Sequence, residues 1–354
     1  MGQRLMSYFI AANPHKGEMN YMANVTIANP MAVNGVATTD ADKLALALMV
    51  FSGETLTAFQ RTSVTTGRVM ERTIASGKSA QFPAFGRTNA HYLKAGKNLD
   101  DLRENIKNGE RIIQIDGLLT ADTLIFDLDE FIAHYDFRSP YAAELGNALA
   151  ISHDASVLAE IAKEALNTTE NVAGLGLGGV ITQKLDAGTV GINKQTGLAI
   201  YQILLEAKAQ MSKNYVPASD RYAYLDPEYH SALASALEFL NREYGASGNI
   251  LEGNVIRLAG FDIIECPHLV RGGDDNTNVI QGAGHIFPAA YADKHPIIIC
   301  HKTSAGVLRL QNLSMESGRR MEYQADQIIA KMAVGVGGLR PECSFIGVVS
   351  NATA

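Results

Sequence analysis

The sequence predicts an α+β fold built from dissimilar pieces, and three observations carry that expectation. Residues 68–115 form a long, polar, glycine-punctuated stretch with few core residues. Ser139 to Leu166 has the three-and-four spacing of one long helix. Residues 179–302 alternate strand and helix signals in the manner of a compact α/β unit. The chain has 354 residues, 47% hydrophobic and 19% charged, which is ample for a sizeable core and two or three structural units. Such a composition excludes a disordered chain. A formal charge of −7 without any Lys/Arg run excludes a strongly basic nucleic-acid binder. No apolar run approaches the roughly 18 residues that span a bilayer, so no membrane role is expected. Cys266, Cys300 and Cys343 stand alone without a CxxC pair, the pattern of a reduced fold rather than a disulfide scaffold.

At the N-terminus no long apolar segment of a signal peptide is present. Lys16-Gly17-Glu18 can be encoded by a purine-rich stretch resembling a bacterial ribosome-binding site, just ahead of Met22. We therefore expect translation to begin at Met22, leaving residues 1–21 outside the protein; an intact mass that includes Met1 overturns this. Residues 22–39 lack periodicity and read as a flexible arm. Thr39-Asp40 offers a cap for a short apolar helix from Lys43 to Phe51, and a second short helix follows from Glu54 to Gln60. Both are too short to be stable alone and must dock on something.

In the 68–115 stretch, Arg68 to Ile74 reads as a strand and Arg111 to Ile115 as its antiparallel return. Gly77, Gly86, Gly96 and Gly109 punctuate the polar segment between them. A two-stranded flap of this length reaches several tens of ångströms at about 3.3 Å per residue. An isolated ribbon is marginal in water, so it is expected to lie on a neighbouring molecule. Aromatic side chains dominate interfaces, which makes Gln81, Phe82, Pro83 and Tyr92 candidate anchors; local packing within the ribbon is the competing reading. Lys78, Arg87, Lys94 and Lys97 read as rim charges that meet acidic surface on a neighbour.

Ser139-Pro140 is a helix start, a cap followed by Pro at the first helical position. Tyr141, Leu145, Ala148, Ser152, Ala155, Ala159, Ala162 and Leu166 then mark one face of a strut roughly 40 Å long at 1.5 Å per residue. After it Gly174, Gly176, Gly178 and Gly179 form a link read as a hinge. The α/β unit follows, with strands at Val180–Thr182, Tyr222–Leu225, Val255–Leu258, Phe261–Cys266 and Pro296–Cys300 and helices from Thr196 and Glu228. The tail has strand-like runs at Gly306–Leu310, Gln327–Ala333 and Ser344–Val349, interrupted by Gly335, Gly337 and Gly338 as a hinge or tight crossing.

Three apparent chemical motifs are weak. The run GLGLGG at 174–179 is preceded by a helix and followed by a strand, the inverse of a dinucleotide loop. Cys266, His268, Cys300 and His301 contain zinc-ligand types, but Cys300 and His301 point to opposite strand faces. Asp127, Asp129 and Glu130 lie on an amphipathic segment without a nucleophile elbow. No enzyme, cofactor or metal site is expected.

Several collinear runs together resemble the major capsid proteins of short-tailed podoviruses of the autographivirus group. They are DKLAL at 42–46, LTAF at 56–59, RTSVTT at 61–66, SGKSAQFP at 76–83 and GRT at 86–88. IDGLLTAD at 115–122, KNYVPA at 213–218, PHL at 267–269, QADQIIAK at 324–331 and GGLRPE at 337–342 complete them. The pattern departs from the family at 1–38 and within 240–295. The resemblance implies an HK97-like capsid fold, with an N-terminal arm at 1–66 and an extended β-hairpin loop at 67–115. It further implies a peripheral domain (116–178 and 303–337) with a spine helix at 139–166, and an axial domain at 179–302 and 338–350. It implies a homo-oligomer of hexamers and pentamers closing an icosahedral virion shell around double-stranded DNA without sequence-specific binding. A scaffolding protein and a portal protein are the implied partners, with assembly in the host bacterial cytoplasm. Some relatives with this fold cross-link a Lys to an Asn between subunits; the group resembled here is not expected to do so through Lys78. Two other readings stay open, an encapsulin-like nanocompartment shell and a soluble α/β enzyme.

Overall fold

The computed structural model describes residues 32–33, 36–37, 54–60, 62–96, 98, 100, 103–127, 138–186, 188–236, 248–249, 254–255, 257–267, 269, 284–292 and 294–351. The expected helix at Lys43–Phe51, most of the arm, and Lys97, Asp129, Glu130 and His268 lie outside the described residues. Strands are numbered in chain order. Two short pairs, β1 (Ala32–Val33) with β2 (Val36–Ala37) and β9 (Gly248–Asn249) with β10 (Asn254–Val255), stand apart from the main sheets.

A four-stranded sheet has the order β3 (Met70–Thr73), β14 (Ala305–Arg320), β15 (Ala325–Gly338), β6 (Gly117–Phe126). A six-stranded sheet has the order β11 (Arg257–Leu258), β12 (Phe261–Glu265), β8 (Arg221–Leu225), β13 (Ile297–His301), β16 (Ser344–Asn351), β7 (Gly179–Leu185). β4 (Ser79–Phe85) and β5 (Asn108–Gln114) form a separate antiparallel hairpin.

The long helix spans Arg138–Ala165, 28 residues, and ties the two sheets together. Its first half packs Leu145, Leu149 and Ala150 with Ile328, Ala330 and Met332 of the four-stranded sheet. The second half packs Leu158, Ile161 and Ala162 with Tyr224, Ile298 and Ile346 of the six-stranded one. The expected stripe holds at Leu145, Ala155, Ala159 and Ala162, all buried, whereas Tyr141 and Ala148 are exposed. They fall where the first half of the helix is covered on one side only. Each large apolar side chain buried here contributes about 1.5–3 kcal/mol.

β13 reads Ile-Ile-Ile-Cys-His without alternation because both of its faces are covered. Ile298 and Cys300 face the long helix, while Ile297 and Ile299 face the helix Lys194–Lys213 with its Ile200, Ile203 and Leu204. Asn193 caps that helix through a side-chain bond to the Thr196 amide. The short helix 54–60 docks as expected, burying Phe59 against the first half of the long helix. Gly146 makes the approach possible, since a Cβ there would lie 2.4 Å from the Thr55 carbonyl oxygen.

Two expectations change. β3 does not pair with the returning strand; it lies parallel to β14, with Met70 opposite Gly306 and Thr73 opposite Arg309. β5 pairs instead with β4, Ser79 opposite Gln114 and Phe85 opposite Asn108. Between β3 and β4 the chain turns at Gly77, whose φ of 109° suits glycine alone. The tail runs are also longer than expected, because β15 continues unbroken through Gly335, Gly337 and Gly338, paired with Leu308, Gly306 and Ala305.

Candidate assembly surfaces

The β4–β5 hairpin is two-faced, as period-2 geometry requires. Ala80, Phe82 and Ile113 turn inward onto Leu308 and Leu339, and Ala84 packs with Val172 and Leu175. The ribbon therefore has a core at its root, hidden in the sequence by small residues and the surrounding polar ones. Phe82 is buried in its own chain, with the Arg72 guanidinium 5.9 Å from its ring centroid. Gln81 and Pro83 stand exposed on the opposite face. Two side chains that sequence reasoning passed over join them there, Phe85 at 62% exposure and Ile112 at 54%. Strict alternation over 79–85 is the signal that points to Phe85.

The remaining candidate residues are dispersed. Lys78, Arg87 and Lys94 are exposed, and Tyr92 is fully exposed at 100%. Arg87 does not reach outward freely: its guanidinium donates to the Asn214 carbonyl and lies 4.5 Å from the Tyr215 ring centroid. That contact closes one side of an open cleft of about 950 Å³ between the loop and the glycine link, lined also by Asn89, Glu104 and Lys107. Within the link, Gly174 and Gly176 have φ of 92° and 91°, which glycine alone adopts readily. A Cβ on Gly178 would lie 2.0 Å from the Ser344 carbonyl oxygen, so that glycine is a close packing point against the start of β16.

Charge is concentrated at the base of the hairpin. Arg111 of β5 donates to Glu164 of the long helix at 3.2 Å. Asp116, in the corner between β5 and β6, accepts from His285 Nε2 at 2.8 Å, and His285 Nδ1 lies 2.8 Å from Glu160. At the far end of the four-stranded sheet Asp127 accepts from Arg319, which also reaches Asp326 at 3.1 Å. The Arg319 hydrogen bonds hold the Asp127 carboxyl below its usual range, as the charged partner of an ion pair. Cys266 and Cys300 sit in the apolar cluster under the long helix, and burial pushes the Cys300 thiol up to about 12. His301 points away to Thr303. Among the described residues, Asp226, Glu228 and His295 bring potential ligand atoms within 4.8 Å of one another. Glu228 lies in the first turn of the helix Pro227–Ser235, where negative charge is favoured without any ion.

A family model described as Gp10A-like, major capsid protein, matches residues 81–347. The chain belongs to this major capsid protein family. It is 45% identical over 338 residues to the major capsid protein of Escherichia phage T7, covering 91% of this chain and 98% of that protein. The major capsid protein of Enterobacteria phage T3 is 45% identical over 337 residues, covering 91% and 97%. The capsid structure of cyanophage P-SCSP1u is 32% identical, with a TM-score of 0.69 over 82% of this chain and 89% of the other. The mature capsid of bacteriophage PhiM1 shares the fold at 18% identity, with a TM-score of 0.66 over 81% and 87%. This capsid protein thus has the HK97-like capsid fold and is a shell component of a tailed phage, built from many copies.

Proposed function

We propose that copies of this chain form hexamers and pentamers that close into an icosahedral shell around double-stranded DNA, in the cytoplasm of a bacterial host, with a scaffolding protein and a portal as assembly partners. The extended loop at 67–115 lies on the adjacent subunit. The exposed hairpin face of Gln81, Pro83, Phe85 and Ile112 carries this reading, because a two-stranded ribbon that leaves Phe85 and Ile112 exposed among polar neighbours gains stability when those side chains are covered. Residues 116–178 with 303–337 act as the peripheral domain, and 179–302 with 338–350 as the axial domain. In support, β14 and β15 belong to the four-stranded sheet and β16 to the six-stranded one. Subunits at five-fold and six-fold positions need compliance, which we assign to the link at Gly174 and Gly176. The net charge of −7 suits a container that does not adhere to its genome.

Sedimentation velocity on the chain produced with its scaffold is expected to show large uniform shells. Phe85→Asp with Ile112→Asp places charge on the outer face without touching the buried one. Those shells are expected to be lost while the unassembled chain keeps its thermal midpoint. Shells at wild-type yield from the double variant overturn the role of this face.

A further inference from the structure

We propose that His285 is a proton-held clasp that fixes the root of the extended loop to the long helix. The loop ends at β5, and Asp116 lies in the corner that follows, where the returning chain meets the body. Its Oδ2 accepts from His285 Nε2 at 2.8 Å and from the Val336 amide at 3.1 Å. The other ring nitrogen of His285 lies 2.8 Å from Glu160 on the long helix. Lys163 holds that carboxylate in place, at 2.7 Å from Glu160 and 2.9 Å from the Gly284 carbonyl oxygen. His285 is buried.

An imidazole flanked by two carboxylates donates to both only as the imidazolium, since the neutral ring has one N–H. One proton therefore ties together three segments far apart in sequence: the loop exit, the long helix and the segment before β13. The charged groups facing the ring are Asp116, Glu160 and, through Glu160, Lys163. One helical turn on, Glu164 binds Arg111 and forms a second stay, on β5 itself.

Burial works against the charged ring, but the hydrogen bonds it donates to Asp116 and Glu160 outweigh it and raise the pKa to about 9. The docked value lies above the free value of about 6.5. The clasp is therefore fully closed below about pH 6.5 and is lost as pH rises through about 9. Glu164 does not account for an alkaline loss: burial raises its pKa, and rising pH only keeps its carboxylate charged for Arg111. The clasp deepens the assembly reading, because the loop it fixes is the one proposed to cover a neighbour. It is internal to one chain, however, and its test stands even if that reading fails.

The experiment is hydrogen exchange on the full-length chain at one fixed assembly state, from pH 6 to pH 10, corrected for intrinsic exchange rates. In the wild type, protection of 79–85 and 108–114 is expected to fall by about 10- to 300-fold across the alkaline range, the upper figure being ten to the power 9 − 6.5. Amides of β8 and β13 are expected to keep their protection. His285→Gln is expected to give low, pH-independent protection in the loop strands. Asp116→Asn, which removes the loop-side acceptor charge, is expected to do the same if the histidine variant fails to fold. Wild-type loop protection that stays constant to pH 10 overturns the clasp. So does protection that falls in step with β8 and β13, which marks global unfolding.

Discussion

Gly335→Ala is expected to destabilise the chain by about 3 kcal/mol or more, at the upper end of overpacking effects. Gly335 lies inside β15, where the strand runs beneath the end of β5. A Cβ at this position would lie 2.0 Å from the Gln114 carbonyl oxygen and 2.9 Å from the Ile115 Cα. Both are backbone atoms, so no rotamer change relieves the clash. The chain must move either β15 out of its ladder with β14 or the loop root away from the body. Gly318→Ala is the matched control: it sits in β14, and a Cβ there would meet nothing within 4 Å. It is expected to change stability by less than about 0.5 kcal/mol. Urea unfolding of both variants decides the matter. Equal midpoints mean that Gly335 is a point of compliance, as its glycine-rich surroundings also suggested, and not a crossing.

This glycine shows where the sequence was legible and where it stopped. The run Gly335, Gly337, Gly338 marks an unusual backbone position on sight, but that Gln114 is the chain crossing it depends on a contact 221 positions away (335 − 114). The long helix was readable almost to the residue, because its packing obeys a local period and its start carries Ser139-Pro140. β13 was readable because a strand covered on both faces is uniformly apolar. The pairing of β3 was not readable, since its partner residues at 306–309 are distant and parallel, and no turn announces a parallel ladder. For the same reason the Asp116, Glu160 and His285 group has no spacing by which sequence identifies it. Phe82 stood out in the sequence as a packing residue, but whether it packs on a neighbour or within its own chain was not readable; it turns inward onto Leu308 and Leu339.

Asp154→Ala is expected to cost about 3–5 kcal/mol, because this carboxylate accepts hydrogen bonds from three successive residues of one turn. It is fully buried on the long helix and receives the Ser63 hydroxyl at 2.7 Å and the Val64 amide at 2.7 Å. The Thr65 hydroxyl at 2.5 Å and the Thr65 amide at 3.3 Å complete the set. Losing the acceptor leaves buried donors unsatisfied at about 1–3 kcal/mol each. The Val64 and Thr65 amides cannot turn elsewhere, since the 63–66 turn joins the docked helix 54–60 to β3. Burial alone would raise the Asp154 pKa, but His153, Thr65 and Val64 together hold it below its ordinary range. Its stabilisation is therefore complete above the unfolded value of about 3.9 and is lost only as pH falls through a still lower folded value. The gap between Asp154→Ala and wild type, measured by urea unfolding, is accordingly expected to be constant from pH 5 to pH 8 and to close only below about pH 3.9. A gap that closes already at pH 5 means that the carboxyl is not held in its charged form. Because the turn it caps joins the helix 54–60 to β3, the variant is also expected to expose 54–66 to exchange before any strand of the six-stranded sheet. Simultaneous exposure of both regions means that the anchor and the core unfold as one unit.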